Sequence, residues 1–307
     1  MMCDSVLLIA FGGPEKPEDI RPFLQIVTAG RRIPAERIDE VAHHYELIGG
    51  RSPLNELTMR QAEALRRALG RGGVTVPVYV GMRNWHPFLH ETLAAMRERG
   101  HRRALGIILS SFQTEASWER YVADVAAARG KVGAGAPEVA YAPPWADHPL
   151  FTEALVARAM DALEQVASPT RADALLLFTA HSVPVAMAEG SPYPRQIEAA
   201  ARVIAGRLGH GRWQIAYQSR SGSPGDPWLE PDICDVLRSL KDSDIQDAVA
   251  APIGFVCDHV EVLYDLDVEA KAVAGSCGIG FHRAAAANDH PAFVAMLADL
   301  VRRGPAS

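Results

Sequence analysis

Four carboxylates recur close together late in the chain, Asp258, Glu261, Asp265 and Glu269, at steps of three, four and four. On a helix of about 3.6 residues per turn these steps place them in one line. Like charges so spaced destabilise an isolated helix by a few tenths of a kcal/mol per pair. A cation, or a path that carries one, turns that cost into a use. A plainer reading stays open at this level. Asp258 with Glu261 three residues on fits a capping box, and the remaining carboxylates fit a solvated face.

His181 is the second residue suited to chemistry. It ends the apolar run Ala174–Ala180 and precedes Ser182-Val183-Pro184. Imidazole accepts protons near neutral pH, although a histidine at a strand end also serves as an ordinary hydrogen-bonded residue. No G-x-S-x-G surrounds a serine and no H-E-x-x-H is present, which argues against a serine hydrolase and against helix-borne His-pair metal ligation. The four cysteines, Cys3, Cys234, Cys257 and Cys277, form no C-x-x-C pair and read as reduced thiols, with Cys257 a small packed hydrophobe.

The elements that must position these residues alternate along the chain. Short apolar runs at 6–11, 76–81, 104–110, 138–142, 174–180, 213–217, 249–256 and 279–281 read as strands, separated by longer helical patterns. This is the signature of an α/β fold with mostly parallel sheet. Asp258 is expected to open the helix after the 249–256 strand. Pro143-Pro144-Trp145 marks the expected boundary between lobes 1–143 and 144–307, with the last helix able to pack back on the first lobe. In such sheets ligands sit beyond the carboxyl ends of the strands. Phe11, Arg83, Ser110, Ser111, His181, Gln218, Ser219 and the 258–261 segment all fall there. Helices that open on His86, His148 and His290, each followed by Pro, hint only weakly at a duplication.

The 307 residues carry a net charge of −6, which argues against nucleic acid as partner. No apolar run approaches the roughly 20 residues of a membrane helix, and the N-terminus lacks the marks of a signal peptide.

Six ordered stretches resemble the ferrochelatase family across nearly the whole chain. They are Leu7–Pro14, His44–Leu54, Tyr79–Arg83, Thr179–Pro184, Tyr217-Gln218-Ser219 with Pro227-Trp228-Leu229, and Gly254–Glu261. The resemblance implies two similar Rossmann-like lobes, each a parallel sheet flanked by helices, around a cleft where Fe²⁺ is inserted into a porphyrin. It implies His181 and Glu261 as the central catalytic and metal-handling pair. Asp265 and Glu269 continue the acidic row as an outer metal site or entry path, with Ser52 near it.

The chemistry agrees with that assignment. Two pyrrole protons must leave before the ring nitrogens bind a metal, and carboxylate and imidazole can replace the ion's water stepwise. Phe11, Trp228 and Tyr264 are candidate apolar walls. Many coproporphyrin-using relatives carry Tyr where Phe11 stands, and Phe supplies no axial oxygen. Cys277 stands alone where some relatives hold a clustered [2Fe–2S] site, so neither a cluster nor any other cofactor is expected; Fe²⁺ enters as substrate. The hydrophobic lip and C-terminal extension of membrane-associated relatives are not apparent. The expectation is a cytoplasmic monomer, a lyase of haem biosynthesis acting on coproporphyrin III, with protoporphyrin IX a possible substrate. Arg31, Arg83 and the Ser110–Thr114 loop are candidate partners for the propionates. A non-catalytic haem or tetrapyrrole carrier, and a chelatase for another metal such as cobalt or another tetrapyrrole, remain the alternatives.

Overall fold

The apolar runs pair into two separate four-stranded sheets. In the computed structural model, which describes residues 3–30, 33–221 and 225–306, β1 (Ser5–Ala10), β2 (Val78–Met82), β3 (Arg103–Ile108) and β4 (Glu138–Tyr141) form a sheet of order β2-β1-β3-β4. β5 (Leu175–His181), β6 (Trp213–Gln218), β7 (Asp247–Ala251) and β8 (Gly280–Arg283) form another, of order β6-β5-β7-β8. Every pairing is parallel. Each sheet thus sets its first strand between its second and third, the same winding twice. Arg31 lies outside the described residues.

The chain divides into two compact units, one of Met1–Ser110, Glu115–Pro144 and Asp289–Ser307, the other of Ser111–Thr114 and Trp145–Asn288. The expected span 144–307 is therefore corrected: residues 289–307 belong with the first unit. The helix Pro291–Arg303 packs on the helix Leu54–Arg71, and Arg60 holds Asp289 with an Nη2–Oδ2 distance of 2.6 Å. The Ala306 N–H donates to the Tyr141 carbonyl at 2.9 Å.

In the first unit all six residues of β1 are buried, as a central parallel strand covered on both faces requires. Leu7 and Ile9 pack with Leu89, Leu93 and Met96 of the helix Leu89–Glu98 and with Tyr121 and Val125 of the helix Arg120–Val132. In the second unit, β5 and β7 share a core with the helical segment running from Val260 to Ser276.

That segment begins α-helical, continues as a π-helix over Leu263–Ala270, and returns to α over Lys271–Ser276. Its fully buried residues are Val262, Leu266, Ala270 and Ala274, spaced by four. In a pure α-helix three such steps drift by about 120° around the axis. The wider i→i+5 turns of the π stretch offset this drift, so the apolar stripe stays on the core and Glu261, Asp265 and Glu269, each one residue earlier, keep a common side.

One expectation about this region changes. β7 ends at Ala251, before Pro252, instead of running to Val256, because proline has no N–H for the ladder. The chain then crosses the end of β5, where the Gly254 N–H donates to the Thr179 carbonyl at 3.0 Å. A Cβ on Gly254 would stand 2.6 Å from that of Ala180, one residue before His181. Gly254→Ala is therefore expected to destabilise the protein by roughly 1–3 kcal/mol, read from urea unfolding. Wild-type stability would mean that this crossing is loose.

Candidate functional site

His181 stands at the carboxyl end of β5, paired in register with Gln218 of β6. Because β5 lies between β6 and β7, this end is a switch point of the winding, where open α/β sheets present residues to ligands. The Tyr193 hydroxyl donates to the His181 carbonyl at 2.8 Å and anchors the strand end. The imidazole Nδ1 lies against the Ser182 carbonyl. A carbonyl only accepts, so Nδ1 carries a proton and Nε2 is the nitrogen left for chemistry. Nε2 faces Glu261 Oε1 at 3.5 Å.

Glu261 is presented by the first helical turn after β7. The N-cap of that turn is His259, whose Nδ1 accepts from the Glu261 N–H at 3.1 Å. Its Nε2 is therefore the protonated nitrogen of the neutral ring, and lies 3.8 Å from Glu261 Oε2. One carboxylate thus stands between two imidazoles. His259 was not among the residues singled out from sequence; its place two residues before Glu261 was the available signal. His148 and His290 cap their helices by the same Nδ1 bond, so imidazole capping recurs in this chain.

Burial by itself would hold His181 neutral, but the Glu261 carboxylate overrides it and lifts the imidazole to about 9. Burial likewise opposes the charge on Glu261, and His181 and then His259 prevail, taking it down to about 2. His259 is lowered by burial and by His181, and stays neutral at pH 7. Asp265, one turn on, is lifted to about 7 by burial and by Glu261 and Glu269, against the opposing bond from the Ser219 hydroxyl. Ser219 holds that carboxylate from a backbone φ of 64°, a left-handed conformation that non-glycine residues seldom adopt.

Asp258 does not cap the helix. Its Oδ1 accepts from Arg283 Nη1 at 2.9 Å and from the Ala286 N–H at 3.1 Å, and Oδ2 accepts from Asn288 Nδ2 at 2.7 Å. The first carboxylate of the row is thus a half-buried structural anchor. Glu269 bears electrostatically on both Asp265 and Cys234.

Trp228 sits opposite Pro184 in a short antiparallel bridge, and the Ser182 hydroxyl donates to the Leu229 carbonyl at 2.9 Å. The Trp228 loop is thereby tied to the strand end that carries His181. Tyr264, half-buried, lies on the π stretch. Ser111 and Thr114 belong to this second unit and are buried, and the Gln113 N–H between them donates to Gln196 Oε1 at 2.9 Å.

Phe11, Ser52, Arg83 and Ser110 belong to the first unit. Phe11 is 38% exposed. Ser52 is buried and its hydroxyl accepts from the Leu54 N–H at 3.3 Å. The Arg83 guanidinium is paired with Asp124 and lies over the rings of Phe11 and Tyr121. Among the described residues, no three His, Cys, Asp or Glu side chains gather to hold a metal ion.

Two four-stranded parallel sheets with acid and imidazole at a switch point define a chelatase-like protein. The fold is similar to that of SirB from Bacillus subtilis with Fe³⁺, with a TM-score of 0.61 at 12% identity over 99% of this chain and 96% of that one. The chain belongs to the ferrochelatase family, whose model matches residues 3–304. Coproporphyrin III ferrochelatase of Mycobacterium avium is 46% identical over 97% of this chain and 87% of its own length. That of Mycobacteroides abscessus is 44% identical over 98% and 88%.

The charge pair makes a definite titration. His181, raised from 6.5, adds stability at low pH that fades as pH rises through about 9. Glu261, lowered from 4.5, adds stability at higher pH that fades as pH falls through about 2. Glu261→Gln removes the main charge that holds the imidazolium and leaves burial opposed only by the Ser182 carbonyl and Asp265. Nuclear magnetic resonance titration of His181 is expected to show its pKa falling from about 9 in this variant; an unchanged value would mean another anion holds the proton.

Proposed function

We propose that this protein inserts Fe²⁺ into coproporphyrin III, a lyase reaction of haem biosynthesis. The observation that carries the reading is the His181 Nε2–Glu261 Oε1 pair, 3.5 Å apart and oppositely charged, at the switch point of the second sheet. Two relatives above 40% identity over almost the whole chain bear the name coproporphyrin III ferrochelatase, which supports this porphyrin over protoporphyrin IX.

Glu261 offers a carboxylate that is ionised at any physiological pH and keeps 41% of its side-chain surface open to solvent. It serves as a hard oxygen ligand for the arriving cation. While Glu261 is bare, His181 holds a proton on Nε2. A cation at the carboxylate cancels the charge that retains this proton, and burial then favours neutral imidazole. His181 thereby becomes a base when the metal is present, ready to take a pyrrole proton at Nε2. Asp265 and Glu269 extend the anionic side toward later helical turns and hand the ion on. Trp228 and Tyr264 serve as apolar contacts for the macrocycle.

The reaction in this reading uses no resident cofactor. Among the described residues no helix is long and apolar enough to cross a membrane. The protein is proposed to act as a cytoplasmic monomer.

The decisive assay supplies anaerobic Fe²⁺ with coproporphyrin III and protoporphyrin IX side by side and follows the metalloporphyrin spectrum. Turnover with coproporphyrin III is expected, with His181→Ala abolishing insertion while porphyrin still binds. Tight porphyrin binding with no spectral change would instead identify a carrier, and faster turnover with Co²⁺ a different chelatase. The apparent KM for Fe²⁺ is expected to rise as pH falls through about 7, where Asp265 takes up a proton. Asp265→Asn should flatten that limb; a persisting limb would assign it to another group.

A further inference from the structure

Gln218 was grouped by its strand-end position with the residues that touch substrate. Its bonds describe a different part. The side chain is 1% exposed, and its Nε2 donates to the Glu261 backbone carbonyl at 2.6 Å. Its own carbonyl accepts the Ser182 N–H at 2.7 Å, and its Cα is the register partner of His181. One residue thus grips both partners of the central pair, the imidazole-bearing strand through its backbone and the carboxylate-bearing turn through its amide.

The amide orientation carries the argument further. Its Oε1 is buried and has no protein partner among the described residues, a state that buried acceptors rarely tolerate. Turning the amide over would set Oε1 against the Glu261 carbonyl oxygen, two acceptors in contact. The unmatched oxygen therefore follows from keeping the donor on Glu261. That carbonyl is also at the first turn of a helix that widens at once into the π stretch.

We infer that Gln218 is a positioning residue that sets the separation of His181 and Glu261 by clamping the Glu261 turn to the end of β5. This rests on the roles proposed above for that pair. The clamp explains why the tips stand 3.5 Å apart instead of closing to a short ion-pair bond: each backbone is pinned, His181 by Tyr193 and Glu261 by Gln218, so the side chains meet at a distance the frame dictates. A shift of about 1 Å in such a frame can lower a rate by roughly a hundredfold.

The test uses the full chain. In deuterated wild-type protein, a through-hydrogen-bond scalar coupling between Gln218 Nε2 and the Glu261 carbonyl carbon is expected; its absence would overturn the clamp whatever the protein's activity. Gln218→Met keeps the side-chain length and removes the donor. It is expected to lower kcat for metal insertion by roughly ten- to a hundredfold while the KM for porphyrin stays unchanged, with the Glu261 backbone resonances displaced and those of the first sheet not. A raised KM with unchanged kcat would return Gln218 to the substrate-contact class and overturn the inference. Wild-type protein that inserts no metal yet shows the coupling would sink the proposed function and leave the clamp standing.

Discussion

A carboxylate and an imidazole held at the same end of one sheet, in surroundings that penalise either charge alone, is the constraint on which the rest of the second unit turns. Each group is ionised because the other is, and their opposite shifts express one Coulombic coupling. Such a pair is inert when closed and reactive when something intervenes. The structure leaves it between those limits. The backbone bonds of Tyr193 and Gln218 fix where the two side chains start, and His259 adds a neutral N–H on the far side of the same carboxylate.

The helical segment after β7 solves a geometric conflict. It must lay Val262, Leu266, Ala270 and Ala274 on a core while keeping Glu261, Asp265 and Glu269 together on an adjacent side. Steps of four and an α-helix are incommensurate over this length, and eight residues of π-helix restore the match. The anionic row is consequently tied to core packing. Moving one acid along the helix would also move a buried apolar residue.

Backbone strain sits at the same place. The described non-glycine residues with positive φ are Ser219 and Asn288, and each holds a carboxylate of the row, Ser219 that of Asp265 and Asn288 that of Asp258. Strained backbone persists where surrounding contacts over-determine it. Here those contacts orient acids that would otherwise repel one another: Asp258 is neutralised structurally by Arg283, whereas Asp265 keeps its carboxyl between the charged and neutral forms near pH 7.

Much of this was legible in the linear chain. Apolar runs broken by Gly and Pro foretold parallel strands, because strands buried on both faces carry no polar alternation, and two of their ends fall at His181 and Gln218. The family likeness rested on motifs around those same ends. Asp258 was misread because a capping box and a half-buried anchor share one local pattern; only Arg283 and Asn288, some 25 to 30 residues on in sequence, decide between them. The return of the final helix to the first unit was allowed for, but its seat on the helix Leu54–Arg71 is a long-range match that only the tertiary structure supplies.

Residue types and their order thus determined which elements form and which side chains stand at strand ends, since these follow from local sterics and hydrophobic period. The 3.5 Å approach of His181 to Glu261, the capping role of His259, the π stretch and the inward grip of Gln218 arise from the pairing of β5 with β6 and β7. Long-range pairing of this kind sets distances that no local pattern encodes.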